Sequence, residues 1–199
     1  MPMQPFNEKK PSSLSSQVLK ILAQVSSEQD LRGGGVAQAV MNLSRLFTTT
    51  RATLPLHYLD DPAHASAYLS YFLPVNLSKV QVLLDELPED SGMEASDHPM
   101  AVLDLGCGPG TGALALLDWL WHRSPERAES VSVLAADASH APLRDTERLW
   151  EAYCKEVGIS SKGLRCVEGN LEHPLKGDLG KQIVRGGPYD LMIMANCLN

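Results

Sequence analysis

The segment VLDLGCGPGTGALALL, residues 102–117, decides the fold of this chain. A short apolar run leads into a turn with glycine at positions 106, 108, 110 and 112, and apolar residues at helical spacing follow. Glycine permits a tight turn and a close approach of a ligand to the backbone, and a helix N-terminus offers unpaired N–H groups. The segment therefore predicts a strand, a turn and a helix, with the turn lying against a ligand.

Composition indicates a soluble globular protein. The chain has 199 residues, of which 44% are hydrophobic and 21% charged, enough for one ordinary domain with a helical extension. It has no run of about 18 apolar residues and no secretory leader pattern at its start, so we expect a cytoplasmic protein without a membrane partner. A net charge of -7 argues against binding nucleic acid through overall charge. The four cysteines lack metal-ligand spacing, so no metal site is predicted.

The pattern divides the chain into four parts. Residues 1–12 are predicted to be a flexible tail, 13–90 a helical N-terminal domain, 91–99 an acidic linker and 100–199 an α/β domain. Within the helical part, LDDPAHASAYLSYFLP (59–74) predicts a helix with Pro62 in its first turn and Pro74 closing it. The next helix is predicted to start at Asn76 and to end before Pro88.

Strand and helix patterns alternate after the linker. Strands are predicted at 101–105, 130–137, 164–170 and 189–199, the last being the most apolar, and helices at 112–123 and 142–158. Repeated β–α units with apolar strands are typical of a parallel, doubly wound sheet. The predicted fold class is therefore α/β, a Rossmann-like sheet preceded by an all-α N-terminal domain.

Two acids bear on the choice of ligand. Asp104 precedes the glycines in the order D-x-G-x-G-x-G, where a carboxylate suits an ammonium group better than a pyrophosphate. Asp137 ends the second strand, where a carboxylate can accept both hydroxyls of a ribose. Residues 108–113 also satisfy the dinucleotide pattern GxGxxA, so an NAD-dependent oxidoreductase stays open as an alternative. A glycine-rich turn without a ligand is a further interpretation.

The sequence VLDLGCGPGTG resembles the first motif of class I S-adenosylmethionine-dependent methyltransferases. The resemblance implies that Asp104 supports the methionine end of the cofactor. In VEGNLEHPL it implies that Asn170 meets the adenine amino group and that Leu171 lies beside the ring. The implied cofactor-binding residues are Asp104, Gly106, Cys107, Gly108, Gly110, Asp137, Ala138, Asn170, Leu171 and Asn196.

The resemblance leaves the catalytic residue unknown. The fourth strand ends MANCLN, which would lie beside the reactive methyl group, so Asn196 and Cys197 are the candidates. Cysteine in place of proline after Asn196 departs from the pattern of amine-methylating enzymes. Methyl transfer from a sulfonium depends mainly on positioning, so the lack of an obvious general base does not exclude it.

Three stretches together resemble the ribosomal small-subunit-associated methyltransferase-like family of bacteria and mitochondria. They are HYLDDPAHASAYLSYFLPVNLSKVQVLLDEL (57–87), the glycine segment and YDLMIMANCLN (189–199), so the resemblance covers roughly residues 57–199. It implies a methyltransferase acting on small-subunit rRNA or in ribosome assembly, with a non-catalytic assembly factor as the alternative. The candidate RNA contacts on the helical part are Arg32, Arg45, Arg51 and Lys79.

The class I methyltransferase fold has seven strands, whereas this chain shows four and stops on the fourth. We therefore expect an incomplete sheet, truncated after that strand. An apolar strand with an open edge is a template for pairing with another chain. The sequence thus predicts association through this edge.

Overall fold

A parallel sheet lies at the centre of the molecule, and helices cover it. The computed structural model describes residues 14–28, 35–49, 54–55, 57–88, 92–93, 98–173 and 175–195. In the order of the sheet the strands are β3-β2-β1-β4, and all neighbours pair parallel. Their bounds are β1 Ala101–Leu105, β2 Ser132–Asp137, β3 Leu164–Glu168 and β4 Leu191–Ile193.

The two inner strands of the sheet, β1 and β2, are largely buried. Leu103 of β1 is buried and stands in register with Leu134 of β2 and Met192 of β4. Since β2 and β4 flank β1 on opposite sides, the winding reverses there, and such a reversal opens a crevice at the carboxyl ends of the strands. This α/β architecture is compatible with a Rossmann-like fold.

Four α-helices lie between the strands in the chain: α5 Thr111–Arg123, α6 Pro125–Ser130, α7 His140–Val157 and α8 Gly177–Gly186. The predictions at 112–123 and 142–158 are confirmed by α5 and α7. The pattern missed α6, which has only six residues, and α8, whose three glycines among ten residues disfavour a helix locally. Leu179 of α8 is buried, so packing stabilises what propensity does not.

The described residues of the N-terminal part form four α-helices and no strand: α1 Ser16–Glu28, α2 Gly35–Thr49, α3 Pro62–Ala67 and α4 Leu73–Asp85. Ser15 caps α1, because its Oγ accepts a hydrogen bond from the Val18 N–H at 3.1 Å. The predicted tail, 1–12, lies outside the described residues.

The prediction that Pro74 closes a helix is wrong. Residues 68–72 form a π-helical turn between α3 and α4, in which the Leu73 N–H donates to the carbonyl of Tyr68, five residues back. This wider turn places Pro74 in the first turn of α4, where its missing N–H leaves no regular helical bond broken. Asn76 consequently lies inside α4 and is buried, instead of starting the helix.

Part of the predicted linker is tied to the α/β unit. The buried guanidinium of Arg127 donates to three carbonyls of this segment: Gly92 at 3.2 Å, Met93 at 3.3 Å and His98 at 2.6 Å. The side chain of Met93 is buried as well. One hydrophobic core therefore continues from the helical part into the sheet.

The fourth strand differs from its prediction. It spans three residues instead of 189–199 and lies at an edge, paired only with β1 in the described sheet. Met192 is 53% exposed, so the strand is not buried on both faces as its apolar sequence suggested. Within the described residues, no helix is both long and apolar enough to traverse a bilayer.

Candidate functional site

The glycine turn after β1 needs glycine for its backbone conformation. Gly106, Gly108 and Gly110 have φ of 69°, 54° and 85°, which side chains rarely tolerate. A Cβ at position 110 would also lie 2.9 Å from Cγ2 of Thr146 on α7. The turn is fastened to the sheet, since the Gly106 and Cys107 N–H groups both donate to the Ala136 carbonyl.

Asp104 lies beneath this turn and is fully buried. Its Oδ2 accepts a hydrogen bond from the Ala113 N–H of α5 at 2.9 Å, whereas its Oδ1 has no hydrogen-bond partner. Burial raises the pKa of this carboxyl to about 7. A Cβ at Gly112 would lie 2.7 Å from Oδ2, so helix and acid are closely apposed. The acid therefore places a potential negative charge at the N-terminus of α5.

Asp137 ends β2, and its carboxylate is fixed by backbone donors. Oδ2 accepts from the Gly108 N–H at 2.9 Å, and Oδ1 accepts from the Ser139 N–H at 3.1 Å. Burial raises the pKa of this carboxyl, while the hydrogen bonds to its charged form oppose that shift. The side chain is half-buried and faces a cavity next to the glycine turn.

The cavity has a volume of about 330 Å³ and opens at the carboxyl ends of the strands. Its walls combine apolar and aromatic side chains with a few polar groups, which is the usual make-up of a small-molecule site. From the α/β part, its lining comprises Gly106, Gly108, Asp137, Ala138, Ser139, Leu171 and Ala195.

The helical part supplies the opposite wall, which the sequence did not predict. Among the lining residues, Phe47 and Phe72 meet edge to face with ring centroids 5.2 Å apart. Tyr68 also lines the cavity, although most of its side chain is buried in the core. The remaining lining residues of this part are Leu54, Pro55, Tyr58, Leu59, Asn76 and Lys79.

Only one of the two predicted adenine contacts lines the cavity. Leu171 lines the cavity, as a residue beside a ring would. Asn170 is exposed at the end of β3 and does not belong to the lining, and its Oδ1 accepts from the Glu172 N–H at 2.8 Å. Both candidate catalytic residues, Asn196 and Cys197, lie outside the described residues, which end beside the cavity at Ala195.

The described cysteines are poor nucleophiles. Burial raises the pKa of the Cys107 thiol well above its ordinary value, and Cys107 lies under the turn without lining the cavity. Burial also raises the pKa of Cys154 to about 11 and that of Cys166 to about 12. Since the thiolate is the reactive form, none of these thiols is activated at neutral pH.

The two described candidates for RNA contacts lie at different places in the structure. Arg45 is exposed on α2, and Lys79 lines the cavity. Arg32 and Arg51 lie outside the described residues.

Comparison with known proteins gives this chain no family. No protein-family model matches the sequence, and a search of curated proteins finds no match either.

Proposed function

We propose that this chain is an S-adenosylmethionine-dependent methyltransferase whose cofactor occupies the cavity beside the glycine turn. The observation that carries the proposal is the pair of carboxylates around that turn, Asp104 beneath it and Asp137 along its side. A ligand with a sulfonium and an ammonium group gains from negative potential there, whereas a pyrophosphate would be repelled. The unpartnered, buried Oδ1 of Asp104 adds to this preference for a cation.

The backbone donors of the turn also weigh against the NAD alternative. A dinucleotide places its pyrophosphate on free N–H groups at the start of the helix. Here the Gly108 N–H bonds Asp137 and the Ala113 N–H bonds Asp104. The Gly110 and Thr111 N–H groups both bond the Cys107 carbonyl. Donors that a dinucleotide needs are thus already engaged.

The residues present fit the cofactor at several points. Asp137 would accept the ribose hydroxyls, Leu171 would pack on the adenine and Asp104 would favour the positive charge from beneath the turn. Asn170 precedes the lining residue Leu171, and its amide oxygen, which has two lone pairs, could accept the adenine amino group beside its bond to the Glu172 N–H. When bound, the cofactor supplies an electrophilic methyl group.

The chain's own contribution to the reaction would be orientation and exclusion of water. The aromatic wall closes the cavity opposite the glycine turn, so a bound ligand would be enclosed between the two parts of the molecule. The methyl acceptor would approach near Ala195, and Asn196 and Cys197 stay candidates for contacting it. No base is required of the described residues, because positioning dominates this kind of transfer.

We propose rRNA of the small ribosomal subunit, or the assembling subunit, as the acceptor. This part of the proposal is supported by the sequence resemblance over roughly residues 57–199. A net charge of -7 means that any RNA contact must use a local basic surface, for which Arg45 and Lys79 are the described candidates.

Calorimetric titration tests the cofactor. S-adenosylhomocysteine and NAD are titrated separately into the wild-type chain, into Asp137→Ala and into the control Asp178→Ala, an exposed acid of α8 outside the cavity lining. Circular dichroism first confirms that each protein is folded. We expect S-adenosylhomocysteine to bind wild type and Asp178→Ala alike, and Asp137→Ala to bind about 30-fold more weakly, since charged hydrogen bonds are lost. Tighter binding of NAD would overturn the proposal.

Methyl incorporation tests the acceptor. The protein is incubated with a methyl-labelled donor and either naked small-subunit rRNA or intact small subunits. Incorporation into RNA that Asp137→Ala lacks would support the enzyme. Cofactor binding without incorporation into either acceptor would favour the non-catalytic assembly factor instead.

A further inference from the structure

Among the described residues, side chains of both charges line the cavity. Its lining contains one carboxylate, Asp137 from β2, and one ammonium, Lys79 from α4. The two charges come from different parts of the molecule, one from the sheet and one from the helical wall. A ligand matched to this lining carries both a positive and a negative group.

A relay of polar groups links Lys79 to the start of α5. Lys79 Nζ donates to Asn76 Oδ1 at 3.2 Å, and Asn76 Nδ2 donates to Tyr68 Oη at 3.5 Å. Tyr68 Oη in turn lies 3.5 Å from Thr111 Oγ1, at the first residue of the helix that follows the glycine turn. These contacts therefore connect the ammonium on the helical wall with the first residue of the helix after the glycine turn.

The tether orients Lys79 and leaves capacity for a ligand. Asn76 and Tyr68 are buried, so they form a fixed support for a side chain that is otherwise exposed. An ammonium has three donors, of which the bond to Asn76 uses one. Two N–H donors thus remain available to an anionic group in the cavity.

An amino-acid group beside the glycine turn needs such a cation. Its ammonium is favoured by Asp104 and Asp137, but its carboxylate is repelled by the same two acids. We infer that Lys79 binds the carboxylate of the ligand's amino-acid end, so that the helical part selects ligands carrying that group. The inference rests on the proposed function and adds a specificity-determining residue to it.

The test compares two ligands that differ in this group. S-adenosylhomocysteine has the amino acid, whereas 5′-methylthioadenosine keeps the adenosine and the thioether without it. Both are titrated into wild type, Lys79→Met, Lys79→Arg and the control Lys155→Met. Lys155 lies in the last turn of α7, outside the cavity lining, so its variant controls for the loss of one positive charge.

We expect Lys79→Met to bind S-adenosylhomocysteine about 10-fold more weakly, the scale of one charged hydrogen bond, and 5′-methylthioadenosine unchanged. Lys79→Arg should recover most of the loss, and Lys155→Met should match wild type. Equal weakening of both ligands by Lys79→Met would overturn the inference, since it would show a change in cavity shape. Unchanged binding of both would overturn it while the proposed function stands. Wild type that binds neither ligand would overturn the proposed function, and the inference with it.

Discussion

Two buried acids of the same β–α unit have opposite surroundings. Asp118, on α5, accepts hydrogen bonds from Ser15 Oγ at 2.5 Å, Gln81 Nε2 at 2.6 Å and Tyr153 Oη at 2.8 Å. These donors come from the N-terminal edge of α1, from α4 and from α7. Asp104, on β1, accepts one hydrogen bond at one oxygen, and its other oxygen has none.

Asp118 with its three donors forms a contact between the helical part and the α/β unit, which we call the joint. Asp104 belongs to the candidate ligand site. The partners of Asp118 complete its hydrogen bonding and join the helical part to the α/β unit, so this acid has little left to offer a ligand. Asp104 keeps an unpartnered oxygen close to a turn that lines a cavity, although burying such an atom is costly. The incomplete acid is the one that a ligand's charge would stabilise.

The largest effect is expected at the joint. Asp118→Ala leaves Ser15, Gln81 and Tyr153 without their shared acceptor, so the free energy of unfolding should fall by about 3–5 kcal/mol. Urea denaturation of wild type and variant measures this. Asp118→Asn, which keeps one acceptor oxygen, should lie between them. A loss below about 1 kcal/mol for Asp118→Ala would contradict the assignment of the joint.

The next effect concerns the turn. Gly110→Ala meets both the strain of a positive φ and the contact with Thr146, so we expect a loss of about 3 kcal/mol. Gly158→Ala is the matched control, since its φ of 80° is similar and a Cβ there would meet nothing within 4 Å. It should lose only about 1 kcal/mol. If urea denaturation gave equal losses for Gly110→Ala and Gly158→Ala, the close packing of the turn against Thr146 of α7 would contribute nothing to the free energy of unfolding.

The pH dependence of stability tests the burial of Asp104. Burial raises the pKa of Asp104 from 3.8 to about 7, so between these values the folded protein binds more protons than the unfolded chain. The contribution of Asp104 to stability therefore falls as the pH rises through this range and is level above it.

Replacing the acid should remove this contribution. In urea denaturation at pH 4 and pH 8, Asp104→Asn should gain on the order of 2 kcal/mol relative to wild type on going to the higher pH. Asp137 titrates in both proteins, so the difference reports Asp104 together with its Coulombic interaction with Asp137. A gap between the two proteins that does not change with pH would contradict a buried acid at position 104.

The smallest effect is expected at an exposed link between α1 and α7. Lys20 and Glu156 form an ion pair at 2.7 Å, with side chains 54% and 29% exposed. Lys20→Ala should change the free energy of unfolding by less than about 0.5 kcal/mol, because water and salt screen such pairs. Ser15→Ala, which removes a bond to Asp118 beside the same helix, should cost about 1–2 kcal/mol. Equal losses for Lys20→Ala and Ser15→Ala would contradict burial as the reason why the joint stabilises the fold more than the exposed ion pair.

The sequence by itself determined the elements whose signals are local. β1 was predicted to the residue, and α5 and α7 to within two residues, because an apolar run, a glycine turn and a helical period each act over a few neighbouring positions. The same pattern put Asp137 at the end of its strand. The fold class followed from the alternation of these units.

Only the tertiary structure decided how the site is closed. The strand order brings β4 beside β1, and the π-helical turn at 68–72 carries the chain past Pro74 so that Tyr68, Asn76 and Lys79 face the glycine turn. These contacts join residues far apart in the chain, and their energies depend on packing that no local pattern encodes. The partners of Asp104 and Asp118 differ for the same reason: each side chain is an aspartate in an apolar stretch, and only the fold determines which donors reach it.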